Sequence, residues 1–279
     1  MNIQTKASFK KEFLAYFRTH TFLIVACVII GLSIFSPLLI AGMGALMDSM
    51  SDIYDEMGMD VSDMTDFLGA SSSIGLAFSV ESVVGTSLIV LLLLINKAAG
   101  GEQKKRSVII PKSAGLRGFA YLFPKFIIYP LSAFILAFLA ILVSWPVSIL
   151  LFEVNDVIFS NVLIAGVLSG ISLMFYVCCH LTLGTATGKA GMSAAVCISA
   201  SIILPLIFSA VSSDYMFNPF SLGYLASSVI HSGEISGARL VDIAVSIAFA
   251  LGIMVVTYLI ALFAQNARKI DNSGDEIDL

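Results

Sequence analysis

The sequence predicts an all-α polytopic membrane protein. It reads as six transmembrane helices behind an amino-terminal interfacial amphipathic helix, with both termini cytoplasmic. Three observations lead there. Hydrophobic residues make up 58% of the 279 residues and charged residues 12%, with mean hydropathy +0.98. A soluble domain carries about 25% charged residues, so this chain cannot clothe a water-facing globule. Six apolar runs, at about 21–43, 73–96, 126–152, 161–185, 190–211 and 240–264, each reach the roughly 20 residues that cross a bilayer. Finally, every Lys and Arg except Arg239 falls in the amino-terminal segment, the tail or alternate loops. This excludes a soluble enzyme, a coiled coil, a disordered chain and a disulfide scaffold. The unbroken runs are also twice the length of the roughly ten-residue strands of an outer-membrane barrel.

Residues 1–20 form the interfacial helix. Phe9, Phe13, Tyr16 and Phe17 recur at i, i+4, i+7 and i+8, and Lys10, Lys11 and Arg18 lie on another face. That pattern suits a helix in the headgroup layer, rings toward the acyl chains and cations toward anionic lipid. A basic flank that merely sets topology is the alternative. The first span is too long for a signal-peptide core and lacks an A-x-A-like site, so it is read as retained. The loop behind it carries Asp48, Asp52, Asp55, Glu56, Asp60, Asp63 and Asp66 without a base, which assigns it to the outside. Its charge could attract cationic peptides, or simply be solvated.

The second span contains Glu81. A carboxylate at the centre of a span costs about 2.5–3.5 kcal/mol on insertion scales. Glu81 is therefore a candidate pathway group, unless it lies near enough to the headgroups to stay hydrated. Between spans two and three, residues 97–125 form a basic cytoplasmic segment. Gly100 and Gly101 end the helix. Glu102 opens a polar stretch, then come Lys104, Lys105 and Arg106, the aliphatic run Val108, Ile109 and Ile110, and Pro111 as a stop. A short helix with one apolar and one charged side, held between two spans, suits docking to a soluble partner. An ordinary positive-inside loop would explain the charge but not the aliphatic run.

Spans four and five are separated by a few residues around Gly188 and Lys189, where a hairpin can turn. Gly184–Ala190 resembles a P-loop only superficially, being one residue short and ending in Ala. Gly166-x-x-x-Gly170 and Gly184-x-x-x-Gly188 permit close helix approach, within one subunit or between two. His180 reads as a packing or hydrogen-bonding histidine, and Cys27, Cys178, Cys179 and Cys197 as small buried residues. No metal site and no nucleic-acid-binding pattern is expected. Residues 265–279 form an acidic cytoplasmic tail.

This layout resembles the membrane subunit of type-2 ABC transporters, the permease family of bacterial exporters. That family has a basic interfacial helix, six spans, and a coupling helix between spans two and three that engages a separate ATPase. The family pattern of an acidic residue, bases, a small or hydroxyl residue, an aliphatic run, a proline and a basic return into span three is matched by Glu102, Lys104-Lys105-Arg106, Ser107, Val108-Ile109-Ile110, Pro111 and Arg117 through Lys125. It departs from the commoner Gly-Thr at Arg106-Ser107. Asn218, Pro219 and Phe220 interrupt a stretch similar to the family's outer re-entrant segment. The resemblance implies a permease in the bacterial cytoplasmic membrane, in contact with lipid and paired with an identical or paralogous second subunit. It also implies two cytoplasmic ATPase subunits that hold the ATP and Mg, with no cofactor and no catalytic residue on this chain. Other readings are an ion-coupled secondary carrier titrating Glu81, and a non-transporting membrane sensor or immunity protein. A membrane-embedded enzyme would need converging polar groups, and Glu81 and His180 fall toward opposite faces.

Overall fold

The structure, a computed structural model, describes residues 3–50, 71–104, 115–152, 154–211, 218–232, 237–267, 269–270 and 276–277. Within them six helices are long and apolar enough to cross a membrane, so the chain is a multi-pass α-helical membrane protein by length and composition. They run Thr21–Ser49, Ser72–Lys97, Gly118–Leu151, Phe159–Thr187, Ala190–Val211 and Gly237–Ala267. An amino-terminal helix, Ile3–Arg18, precedes them. A 3-10 turn at Pro219–Ser221 and a short helix, Leu222–Ile230, lie between spans five and six. Beyond span six, Lys269–Ile270 pairs antiparallel with Glu276–Ile277.

Most helices outrun the apolar stretches that announce them. Span one continues to Ser49, span six to Ala267, and span three begins at Gly118 rather than near 126. The reason for the last is packing: Tyr121, Leu122 and Ala261 form a cluster that continues the bundle past the hydrophobic run. The residues 118–125, expected in the loop, therefore belong to the third helix.

Span two is not one regular helix. It passes through a π-helical turn at Val83–Ser87 and closes in a 3-10 turn at Ile95–Lys97. Single π turns insert an extra residue into a helix and often accompany functional positions.

Prolines inside spans free carbonyls that lipid cannot satisfy. Pro37 leaves the Ser33 carbonyl without its helical donor. The Ser79 hydroxyl of span two donates to that carbonyl at 2.8 Å, and the Ser33 hydroxyl donates to the Ala140 carbonyl of span three at 2.9 Å. Through its carbonyl and its hydroxyl, Ser33 thus ties three spans together.

Span four is the hub, with 72% of its most apolar window buried, against 17% for spans five and six. Its Gly166 and Gly170 face Phe138 and Phe134 of span three, where a methyl on Gly170 would stand 2.6 Å from the Phe134 ring. The first Gly-x-x-x-Gly motif therefore serves packing within this subunit. His180, fully buried, meets the Ser193 hydroxyl of span five at 2.9 Å through Nδ1. The four cysteines are free thiols, with Cys178 and Cys197 buried and Cys27 on the surface.

The two ends of the bundle differ in chemistry. At one, Asp156 caps span two: its carboxylate accepts from the Ser73 N–H at 3.0 Å and the Ser72 hydroxyl at 3.2 Å. Burial pushes this carboxyl up, but the Ser73 bonds outweigh it and hold the group below the usual carboxylate range. Asn161 there donates to the Ser232 carbonyl at 2.7 Å, and Asn218 accepts from the Phe220 N–H at 3.1 Å. The other end gathers the amino-terminal helix, the segment 97–104, the start of span three, the turn between spans four and five, and the end of span six. A methyl placed on Gly184 would overlap Ala99, and one on Gly118 would overlap Asn266. This is the basic end.

Candidate coupling site

The basic end is organised by a charge network that spacing alone does not reveal. Lys125, one turn after Tyr121 and one turn before Tyr129 on span three, points inward and is 1% exposed. All three of its ammonium protons find acceptors: Glu102 Oε2 at 2.7 Å, the Tyr121 hydroxyl at 2.9 Å and the Ala98 carbonyl at 3.2 Å. The ammonium also sits 4.3 Å from the centre of the Tyr121 ring. Tyr121 in turn donates to Glu102 Oε2 at 3.0 Å.

The amino-terminal helix completes the network. Lys11 Nζ reaches Glu102 Oε1 at 3.1 Å and Glu12 Oε1 at 3.5 Å. Glu12 accepts from the Tyr129 hydroxyl at 3.3 Å and lies 3.9 Å from Lys125 Nζ. Two carboxylates and two ammoniums balance. Lys11 remains largely exposed, but Lys125, Glu12 and Glu102 are withdrawn from water, and that cost is tolerated because their hydrogen bonds are nearly complete. A cavity of about 130 Å³, lined in part by Lys11, Glu12, Tyr16, Glu102 and Tyr129, borders the network.

Burial pushes the Glu102 carboxyl up, but the Lys125 ammonium beside it, and then Lys11, overcome that and bring it from 4.5 down to about 2. A carboxyl whose folded value is depressed stabilises the fold at pH above its unfolded value. That contribution is lost as pH falls from 4.5 toward 2. Unfolding temperature followed in detergent should therefore drop over this window in the wild type. The slope should be shallower in Glu102→Gln, and equal slopes would mean that Glu102 is not held by the network.

The residues singled out in the sequence divide as follows. On the amino-terminal helix Phe13 and Phe17 are exposed and their rings pair at 4.4 Å. Tyr16 instead turns inward: it is 2% exposed, packs edge-on against Tyr129 and accepts from the Ser132 hydroxyl at 3.0 Å. Phe9 packs against the core from a partly buried position. The four rings therefore do not share one outward face. The inward stripe is Thr5, Phe9, Glu12 and Tyr16, while Lys10 and Arg18 are exposed and Lys11 bridges to Glu102.

Glu102 lies in the short helix Gly101–Lys104, its side chain 12% exposed. It faces its own chain, so in this arrangement it holds the segment 97–104 in place and does not present an open docking surface. Lys104 closes that helix. Lys105, Arg106, Val108, Ile109 and Pro111 lie outside the described residues. Glu81 is exposed and accepts from the Ser227 hydroxyl at 3.4 Å. Pro219 and Phe220 start the short apolar helix, with Phe220 edge-on to Phe175 at 5.2 Å.

Sequence reasoning missed Glu12, Tyr121 and Tyr129, and took Lys125 only as a base of the return into span three. One signal was available: Glu12 is the single acid among the bases of its helix, at the register of Thr5 and Tyr16.

Beside the network, a cleft of about 850 Å³ opens between Asn96, Lys97 and Gly101 and the turn Thr187–Met192. Gly188, at φ 67°, closes span four through a bond from its N–H to the Gly184 carbonyl. The P-loop-like string thus forms a helix end and the start of span five. Among the described residues no three His, Cys, Asp or Glu side chains converge as metal ligands. Compared with known proteins, the chain matches no family model and no curated sequence.

Proposed function

We propose that the chain is the membrane permease subunit of an ATP-driven exporter of the type-2 ABC class. In this reading the basic end faces the cytoplasm, the termini lie there, and the membrane is the bacterial cytoplasmic membrane. The amino-terminal helix lies along the headgroups with Phe13 and Phe17 toward lipid. Two permease subunits and two cytoplasmic ATPase subunits, which hold the ATP and Mg, make the working unit.

The observation that carries the reading is the position of Glu102. It is clamped by Lys125 of span three and Lys11 of the amino-terminal helix, and it immediately precedes the basic run at Lys104. A push delivered at Lys104 would reach span three through the neighbouring Glu102–Lys125 pair. It reaches span four through Ala99 and Gly100, which lie against Gly184. Closure of the ATPases on nucleotide would thus shift the hub of the bundle, and hydrolysis would reset it.

Reversing Lys104, Lys105 and Arg106 to glutamate should abolish co-purification with the ATPase that accompanies the wild type, or cut its stimulated turnover by about tenfold or more. Undiminished co-purification together with undiminished turnover would falsify the docking assignment. The ion-coupled carrier makes a different demand: substrate movement in vesicles that contain this chain and no ATPase.

A further inference from the structure

Glu81 poses a problem that the coupling site does not solve. It is the tenth residue of the helix beginning at Ser72, so it sits about 14 Å from that end at 1.5 Å per residue. With this 26-residue helix centred on about 30 Å of hydrocarbon, Glu81 stands about 9 Å below the boundary, yet the side chain lies on the surface of the subunit. A bare carboxylate facing lipid is costly, and such residues usually face a wet cavity or a partner charge. No cation of this chain supplies one among the described residues. Arg239, the arginine at that end, is turned to the Ser232 hydroxyl at 2.6 Å and the Ser228 hydroxyl at 3.1 Å.

The surroundings of Glu81 have a definite chemistry. Span two and the short helix Leu222–Ile230 run antiparallel here, with Gly223 against Val84 and Ser227 against Glu81. On this stretch of span two, Ser72–Ser87, the surface residues are Phe78, Glu81, Gly85 and Thr86. The π turn at Val83–Ser87 brings Gly85 and Thr86 both to the outside, and the space above Gly85 is open. On the short helix Tyr224, 57% exposed, precedes Ser227 by three residues and so shares its face. The carboxylate thus stands in a seam with the Ser227 hydroxyl beneath it, Phe78 three residues before it on span two, and Tyr224 three residues before Ser227 on the short helix.

We propose that this seam is a recognition site for an organic cation bearing an apolar tail, such as an alkylammonium amphiphile, entering from the lipid. The carboxylate neutralises the ammonium, the Phe78 and Tyr224 rings accept it by cation–π attraction, and the tail lies along the exposed aliphatic surface. The acidic loop that follows Asp48 in the sequence would concentrate cations at the same end. The proposal deepens the exporter reading by naming a substrate class for it.

The test uses the full-length protein in zwitterionic nanodiscs without ATP or an ATPase. A diazirine-bearing alkyltrimethylammonium is photolysed, and its adducts are mapped by mass spectrometry. A neutral alcohol with the same tail serves as the control. The cation should label peptides spanning 78–86 or 222–228, and the alcohol should not. Glu81→Gln should lower that labelling about tenfold or more, since it removes one partner of a desolvated charge pair. Tyr224→Leu should lower it severalfold, and Glu81→Asp should retain it. Labelling of Glu81→Gln at the wild-type level, or equal labelling by the alcohol, would overturn the site. So would efficient disulfide formation between two copies of Phe78→Cys, which would make the seam an interface between subunits. The ATPase experiment and this one fail independently, because neither requires the component that the other measures.

Discussion

Replacing Lys125 by methionine should destabilise the protein by about 3–5 kcal/mol, because it removes the buried ammonium and leaves the two buried carboxylates, Glu102 and Glu12, with only the largely exposed Lys11 to balance them. Methionine has nearly the length of the lysine stem, so loss of packing contributes little. The charge imbalance is the cause, and it can be repaired. Adding Glu102→Gln to Lys125→Met removes the stranded charge and should recover most of the loss. The measurement is the fraction of monodisperse protein that survives a temperature ramp in mild detergent, for the wild type, both single variants and the double. If Lys125→Met melts with the wild type, the buried ammonium is not what joins the amino-terminal helix to span three. A double variant no more stable than Lys125→Met would mean that the two groups are not coupled.

Substituting alanine for Gly184 should be nearly as damaging, for a steric reason. The added methyl would stand 1.5 Å from the Ala99 carbonyl oxygen, a backbone atom that cannot rotate away. Gly100, opposite, is itself held at φ 152° with a methyl's place 2.6 Å from the Gly184 carbonyl, so neither strand of the contact can yield alone. Overpacking of a closed contact costs about 1–3 kcal/mol and occasionally more, and this one lies at the upper end. Gly42→Ala is the control. Nothing lies within 4 Å of its methyl position, so it should melt within a degree or two of the wild type. In the exporter reading, Gly184→Ala should also uncouple residual folded protein, since the Ala99–Gly184 contact is the route from the coupling segment to span four. Wild-type stability in Gly184→Ala would show that the segment 97–101 does not rest on span four.

Both predictions concern residues that looked ordinary in the sequence. Lys125 counted as one more base re-entering the membrane, and Gly184 as part of a helix-packing string. What distinguishes them is a partner far along the chain: Glu102, 23 residues away, and Ala99, 85 residues away. Tyr16 makes the same point in reverse. Its spacing groups it with Phe9, Phe13 and Phe17, but Tyr129 and Ser132 of span three draw it inward. Helical periodicity says which residues share a stripe and leaves open which stripe the neighbouring helix covers.

The six helices themselves were decided by composition, because water excludes apolar runs of that length and lipid demands that each satisfy its own backbone. The sorting of basic residues, the break at Gly100 and the hairpin at Gly188 follow from local chemistry and stand in the chain to be read. Which helix becomes the hub, where Pro37 finds its replacement donor, and which four charges meet at the basic end are questions of contact between segments tens to more than a hundred residues apart. Those answers depend on shape and desolvation in three dimensions, and only the packed bundle supplies them.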